Sequence, residues 1–301
     1  MKKKEFNDKI KIRYLFYTIY GWGLFIIINF IQFFIFMPIV FILSIFFDKN
    51  KKSFPYLVKF FCKVFFTFYV VERLQFDRNG LKAPEKGEKR IYVLNHASQY
   101  DVILIYLLPG PIRFLLKESY AKLPMIGWIA VIAGNIVIKN RSTTSENINV
   151  YRKAVETMEE TGSSLVIFPE GTKSKDSKIG SFFNGTFKLA IEGQAEIVPV
   201  IFDSWNCIRP GAFWIRDIRP TVKLMDPIKY ESFKHLNYVK LSQLMRVKMI
   251  EGLLEVRDNR RKNEPNYYRH YIGFEKKDDE MREELKQLKA ELLQNNISLN
   301  P

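Results

Sequence analysis

The chain has 301 residues, enough for one large domain or two modest ones, and 47% are hydrophobic, ample for a core. With 47 Lys and Arg against 32 Asp and Glu it carries a formal charge of +15, which favours a polyanionic partner such as nucleic acid, an anionic membrane surface or a phosphorylated substrate. Two distant cysteines, Cys62 and Cys207, with no C-x-x-C and no His cluster, suggest neither a disulfide framework nor a zinc site and fit reduced thiols facing the cytoplasm.

The N-terminus is basic: Lys2, Lys3, Lys4, Lys9, Lys11 and Arg13 precede residues 14–47, which contain no Asp, Glu, Lys, Arg or His. Many of the 26 phenylalanines lie in the first seventy positions, so lipid is the expected partner and nucleic acid is not. As one helix, residues 14–47 would be about 51 Å long against a hydrocarbon layer of roughly 30 Å. A bend or tilt is therefore required. Gly21, Gly23 and Pro38 are candidate breaks, and Asn29 and Gln32 put polar groups near the middle. Because Lys49, Lys51 and Lys52 follow, both ends look cytoplasmic, which predicts a re-entrant segment or tight hairpin rather than one crossing. The run is too long for the core of a cleaved signal peptide. Lys52, Tyr56, Lys59, Lys63 and Thr67 then recur at helical spacing opposite Phe60, Phe61, Val64, Phe65 and Phe68. That pattern suits an amphipathic helix in the membrane interface, or more plainly a surface helix of the soluble body.

From residue 72 the texture alternates. Strands are predicted at 91–94, 136–138, 165–168, 197–202 and 221–225, with turn signals at Asn79-Gly80 and 84–87. Helical stripes run through Ile148, Tyr151, Val155 and Met158 and again over 186–192. The expected fold is α/β, a mixed, partly parallel sheet flanked by helices, preceded by an N-terminal membrane-embedded helical segment. Met281, Leu285, Leu288 and Leu292 mark a charged terminal helix. The predicted division is 1–71 for the basic N-terminus, membrane segment and interfacial helix, 72–275 for a catalytic domain, and 276–301 for the terminal helix.

Two constellations carry chemistry. In NHASQYD, residues 95–101, His96 precedes Asp101 by five positions, which on an ideal helix would leave the side chains roughly 140° apart. They can meet only across a turn, and strand 91–94 followed by an apolar helix over 102–108 supplies one. A His–Asp pair so formed can take a proton from an alcohol. More plainly, Ser98 and Asp101 are a helix capping box and His96 a structural residue. In FPEGTKS, residues 168–174, Pro169 stops a strand and Gly171 frees the backbone, so Glu170, Thr172, Lys173 and Ser174 project from its C-terminal end. Lys173 and two hydroxyls there can hold a phosphate, though the stretch also reads as a surface turn with a solvated charge. If the strands before His96 and Glu170 are parallel, both loops share one mouth.

Together these stretches resemble the glycerolipid acyltransferases typified by 1-acylglycerol-3-phosphate (lysophosphatidic acid) acyltransferase. The N-H-x-x-x-x-D signature is matched by Asn95, His96 and Asp101, and F-P-E-G-T-R-S by residues 168–172 and Ser174, with Lys173 in place of arginine. Ile197-Val198-Pro199-Val200 is similar to a further family signature. The resemblance spans roughly residues 72–230. In the second signature, G-x-x-F-I-D-R, the chain departs: Lys139 replaces the acidic residue, Asn140 the arginine, and Arg141 is displaced by one. One step along a strand reverses a side chain, so Arg141 could point away from the pocket, or a loop could still deliver it. Lys139 is the alternative cation, without guanidinium geometry.

The resemblance implies fatty acyl transfer from an acyl thioester, acyl-CoA or acyl carrier protein, to the hydroxyl of 1-acylglycerol-3-phosphate at a membrane, giving phosphatidic acid. Catalytic roles then fall to His96 and Asp101, and substrate binding to Glu170, Gly171, Thr172, Lys173, Arg141 and Lys139, with no metal and no resident cofactor. The enzyme would sit at an inner or cytoplasmic membrane with its catalytic domain towards the cytoplasm. The alternatives are another lysolipid acceptor, a membrane-bound anionic-ligand binding protein without catalysis, and a serine hydrolase using Ser98. The last lacks a G-x-S-x-G elbow.

Overall fold

A computed structural model describes residues 12–48, 52–69, 74–139, 144–216, 218–264 and 274–294. Its strands are β1 (Gln75–Asp77), β2 (Arg90–Leu94), β3 (Ile112–Lys117), β4 (Ile136–Ile138), β5 (Ser164–Ile167), β6 (Glu196–Asp203) and β7 (Thr221–Leu224). They form one sheet in the order β1-β7-β6-β2-β5-β3-β4. β6, β2, β5, β3 and β4 are mutually parallel, whereas β7 runs antiparallel to β6 and carries β1 parallel to itself. The sheet is thus mixed α/β, as the alternation of elements predicts.

The helices are α1 (Ile12–Ile31), α2 (Met37–Phe47), α3 (Ser53–Phe68), α4 (Asp101–Leu104), α5 (Glu118–Ala121), α6 (Ile126–Ile132), α7 (Thr144–Thr161), α8 (Gly185–Glu192), α9 (Tyr230–Phe233), α10 (Tyr238–Asn263) and α11 (Phe274–Gln294). Both sheet faces are covered, which is why the middles of β2, β5 and β6 are runs of consecutive apolar residues rather than alternating, with Arg90, Ser164, Glu196 and Asp203 at the strand ends. Tyr92, Leu94, Val166, Val198 and Val200 pack with α3, α4 and α6 through Phe61, Leu104 and Ile129. On the other face Ile91, Val93, Leu165 and Ile197 pack with α7, α8, α10 and α11 through Met158, Phe187, Met245 and Met281.

The predicted hairpin within the N-terminal apolar run is not observed. Ile12–Phe47 stays helical over 36 residues, about 54 Å, with a π-helical segment at Gln32–Phe36 joining α1 to α2. The π turn, closed by the Met37 N–H on the Gln32 carbonyl, lies just ahead of Pro38, whose ring would crowd the carbonyl four residues back in a regular α-helix; widening the helix there gives the ring room. Gly21 does not break the helix either. It admits the side chains of Tyr69 and Ile215, which would lie 2.9 and 2.8 Å from a Cβ at that position. Ile19, Ile26, Ile27, Phe30 and Ile42 are exposed along this long helix.

Reversal comes after Asp48, whose carboxylate accepts N–H bonds from Lys52 (2.8 Å) and Ser53 (2.6 Å) at the start of α3. The helix predicted over 52–67 is present as α3, and its Phe54, Val58, Phe61 and Phe65 are buried in the body while Tyr56, Phe60 and Phe68 are exposed. Lys59 turns inward and donates to the carbonyls of Leu108 (2.5 Å) and Gly110 (3.1 Å).

Candidate active site

The local fold of NHASQYD follows from its polar side chains. Asn95 leaves the end of β2 and clasps the neighbouring β6, accepting from the Phe202 N–H (2.8 Å) and donating to the Phe202 carbonyl (2.9 Å). The chain then turns into α4. Ser98 Oγ accepts from the Tyr100 N–H (3.2 Å), and the Asp101 carboxylate accepts from the Ser98 N–H (2.8 Å), a reciprocal pair that closes the turn ahead of α4; the helix N-cap itself is Tyr100, without a side-chain cap, so the capping box expected from the sequence is not formed. The same oxygen, Asp101 Oδ2, also accepts from the Ala97 N–H (2.7 Å) and lies 2.8 Å from His96 Nδ1. Holding the turn and pairing with histidine are therefore done by one carboxylate oxygen.

Asp101 is fully buried and His96 partly exposed. With an ionised carboxylate at Nδ1, that nitrogen carries the proton and Nε2 is left with its lone pair, the tautomer a general base needs. The ring is further oriented by Phe168, stacked on it at 4.3 Å between centroids. Ser98 is 1% exposed, and its hydroxyl is engaged by Tyr100 and by the Ile208 carbonyl (3.2 Å), so it has no place as a nucleophile.

FPEGTKS follows β5, which pairs in parallel with β2 at Ile91↔Leu165, Tyr92↔Val166 and Val93↔Ile167. The two loops accordingly emerge side by side at the C-terminal edge of the sheet. Glu170 bridges them: Oε1 accepts the His96 N–H (2.8 Å) and Oε2 the Gly180 N–H (2.9 Å). Burial pushes its carboxyl up to about 7, against those two donors, which favour the ionised form. Each Glu170 oxygen accepts one backbone N–H, which ties the FPEGTKS loop to the His96 turn and to Gly180. The Ser174 N–H donates to the His96 carbonyl (2.8 Å), a second tie between the loops.

Gly171 has φ +64°, and a Cβ there would lie 2.6 Å from the Phe183 ring, so glycine meets both a left-handed backbone and a close approach. Thr172 is exposed. Lys173 is half-buried, and burial holds its ammonium below the usual lysine value, opposed by the Asp101 carboxylate. Lys139 is exposed just after β4, on the same sheet edge but two strands from β5. Arg141 lies outside the described residues.

Sequence reasoning missed Lys117, at the end of β3, whose ammonium donates to the Gly171 carbonyl (2.7 Å) and steadies the Glu170 loop from the next strand. It missed Ser204 as well, which follows β6 and donates to Asp101 Oδ1. Locating the strand 112–117 would have found Lys117. Nothing local in the sequence marks Ser204.

Five parallel strands bringing a His–Asp pair, a buried glutamate and several lysines to one edge define an α/β protein with a polar site at the C-terminal end of its sheet. The family model described as Acyltransferase matches residues 75–203, the segment from β1 through β6. The chain is similar to the 1-acyl-sn-glycerol-3-phosphate acyltransferase of Limnanthes douglasii, 32% identical over 54% of this chain and 59% of that one. The Saccharomyces cerevisiae protein of the same name is 26% identical over 63% and 64%. The chain spans about half to two thirds of the length of these relatives, 48% for the Chlamydomonas reinhardtii protein. The crystal structure of the 1-acyl-sn-glycerophosphate (LPA) acyltransferase, PlsC, from Thermotoga maritima shares the fold, with a TM-score of 0.65 and 22% identity over 82% of this chain and 97% of that one.

Proposed function

We propose that this protein transfers a fatty acyl group from an acyl thioester, acyl-CoA or acyl carrier protein, to the free hydroxyl of 1-acylglycerol-3-phosphate, forming phosphatidic acid. The observation that carries the reading is the 2.8 Å contact between His96 Nδ1 and a buried Asp101, with the Glu170 loop tied to the same turn. His96 Nε2 takes the proton of the acceptor hydroxyl as its oxygen attacks the thioester carbonyl. Asp101 stabilises the imidazolium as it forms. When the tetrahedral intermediate collapses, the carbon–sulfur bond breaks and the departing thiolate recovers the proton from His96. No acyl-enzyme is required. General-base assistance accounts for about 10²–10⁴-fold, and holding both substrates in place can supply more, about 7–11 kcal/mol of barrier.

Lys173, Thr172, Lys139 and Arg141 are the groups offered to anionic parts of the substrates. A small, mainly apolar cavity lined by Phe25, Ile28, Phe61, Ile103, Phe114 and Ile129 lies beside α4; its lining suits an acyl chain, and its volume of about 70 Å³ would have to widen to admit one. Among the described residues, Ile12–Phe47 is the helix long and apolar enough to cross a membrane. With the +15 charge, it supports a membrane enzyme whose catalytic domain faces the cytoplasm. Because the second family signature is altered around Lys139, another lysolipid is the second reading for the acceptor.

The test is incubation of the purified protein with labelled acyl-CoA and a panel of lysolipids. Phosphatidic acid is the expected product, and His96→Ala should reduce turnover by about 10³-fold or more while membrane association persists. Turnover retained in that variant would refute the mechanism, and preference for a lysolipid other than 1-acylglycerol-3-phosphate would replace the acceptor.

A further inference from the structure

Building on the acyl-transfer reading, we propose that Ser204 is a positioning residue of the His96–Asp101 pair, its hydroxyl clamping the oxygen of Asp101 that His96 does not use. The carboxylate is held unevenly. Oδ2 accepts from Ala97 N–H, Ser98 N–H and His96 Nδ1, whereas Oδ1 is met, among the described residues, by Ser204 Oγ. An ionised carboxylate can only accept, so the Ser204 hydroxyl donates, and a charge-assisted bond of this kind is among the stronger ones available to a neutral side chain. With both oxygens fixed, the carboxylate cannot rotate about its Cβ–Cγ bond, and the lone pair facing Nδ1 keeps its direction.

Ser204 is in turn held from both sides along the chain. It follows β6, which lies in parallel register with β2 up to Leu94↔Val200. Before it, Asp203 meets Arg260 at 2.8 Å and Arg257 at 3.4 Å, all three buried, which anchors the end of β6 to α10. Arg257 continues to Asp278 of α11 at 2.6 Å. After it, the Trp205 indole N–H donates to the Ser174 carbonyl (3.1 Å), and Ser174 holds the His96 carbonyl. Ser204 thus sits at the junction of the His96 turn, the FPEGTKS loop and the C-terminal helices, and is 1% exposed. A serine that merely satisfied its own hydroxyl would leave the chemistry indifferent to its removal.

The experiment compares Ser204→Ala, which deletes the hydroxyl without adding bulk, with Ser204→Thr, which retains it. Expected are a kcat for Ser204→Ala lower by about tenfold or more, KM for both substrates within twofold, and recovery to within about threefold in Ser204→Thr. Independently of turnover, the His96 Nδ1 proton is followed by NMR, which is tractable because the chain has three histidines and His96→Gln identifies the signal. That resonance should move in Ser204→Ala and return towards the wild-type position in Ser204→Thr. An unmoved His96 signal in Ser204→Ala overturns the proposal, as does a kcat within twofold of wild type. Absence of acyl transfer in the wild type would instead strike the proposed reaction, and the NMR comparison would still decide the placement of Ser204.

Discussion

Replacing Asp101 by asparagine removes one negative charge while leaving the turn that carries His96 intact. The amide oxygen can take the place of Oδ2, accepting from Ala97 N–H, Ser98 N–H and His96 Nδ1, and the amide NH₂ can donate to Ser204 Oγ. What disappears is the attraction between the carboxylate and the imidazolium that forms as the proton moves. From an N–O separation of 2.8 Å, the charge centres lie about 4 Å apart, which at an effective dielectric of 20 corresponds to about 4 kcal/mol. Since that attraction exists only when the ring is charged, its loss falls on the transition state, roughly 10³-fold in kcat, with KM for both substrates little changed. Steady-state acyl transfer from acyl-CoA to lysophosphatidic acid in detergent micelles measures both constants, and a thermal melt verifies the fold. A well-folded Asp101→Asn protein with kcat within tenfold of wild type would refute the role given to the carboxylate.

Glu170 predicts a pH dependence of stability. Its folded pKa, raised by burial from 4.5 to about 7, means that the neutral form is favoured in the native state. The resulting stabilisation is fully present below about pH 4.5 and lost as pH rises through about 7, of order 3 kcal/mol in all. Denaturant melts of wild type and Glu170→Gln between pH 4 and 8 should therefore differ in slope, and parallel curves would contradict a buried titrating Glu170. Arg141→Ala should raise KM for the phosphate-bearing acceptor more than KM for the acyl donor; equal effects on both would remove Arg141 from the phosphate site.

Much of the site was legible in order along the chain. A turn between a buried strand and a short helix is the geometry that lets side chains five residues apart meet, and His96 and Asp101 do so. Less was legible where buried charge breaks the apolar pattern. β3 carries Arg113, buried and bonded to the Gly134 carbonyl (2.9 Å), and the inward side of α10 ends in Arg257 and Arg260. Neither element stood out by periodicity, because guanidinium groups occupy positions where core side chains are expected.

The sequence by itself determined which residues bear the chemistry, since the types and spacings in NHASQYD and FPEGTKS, with the long uncharged N-terminal run, are local properties. Only the tertiary structure decided what each residue does. Parallel pairing of β2 with β5 and β6 brings turns from positions 96, 170 and 204 to one edge, placing Glu170 under the His96 backbone and Ser204 on the far oxygen of Asp101. Likewise, the N-terminal run stays helical through Pro38 because a π turn absorbs the proline, an accommodation that depends on backbone geometry and that composition does not encode.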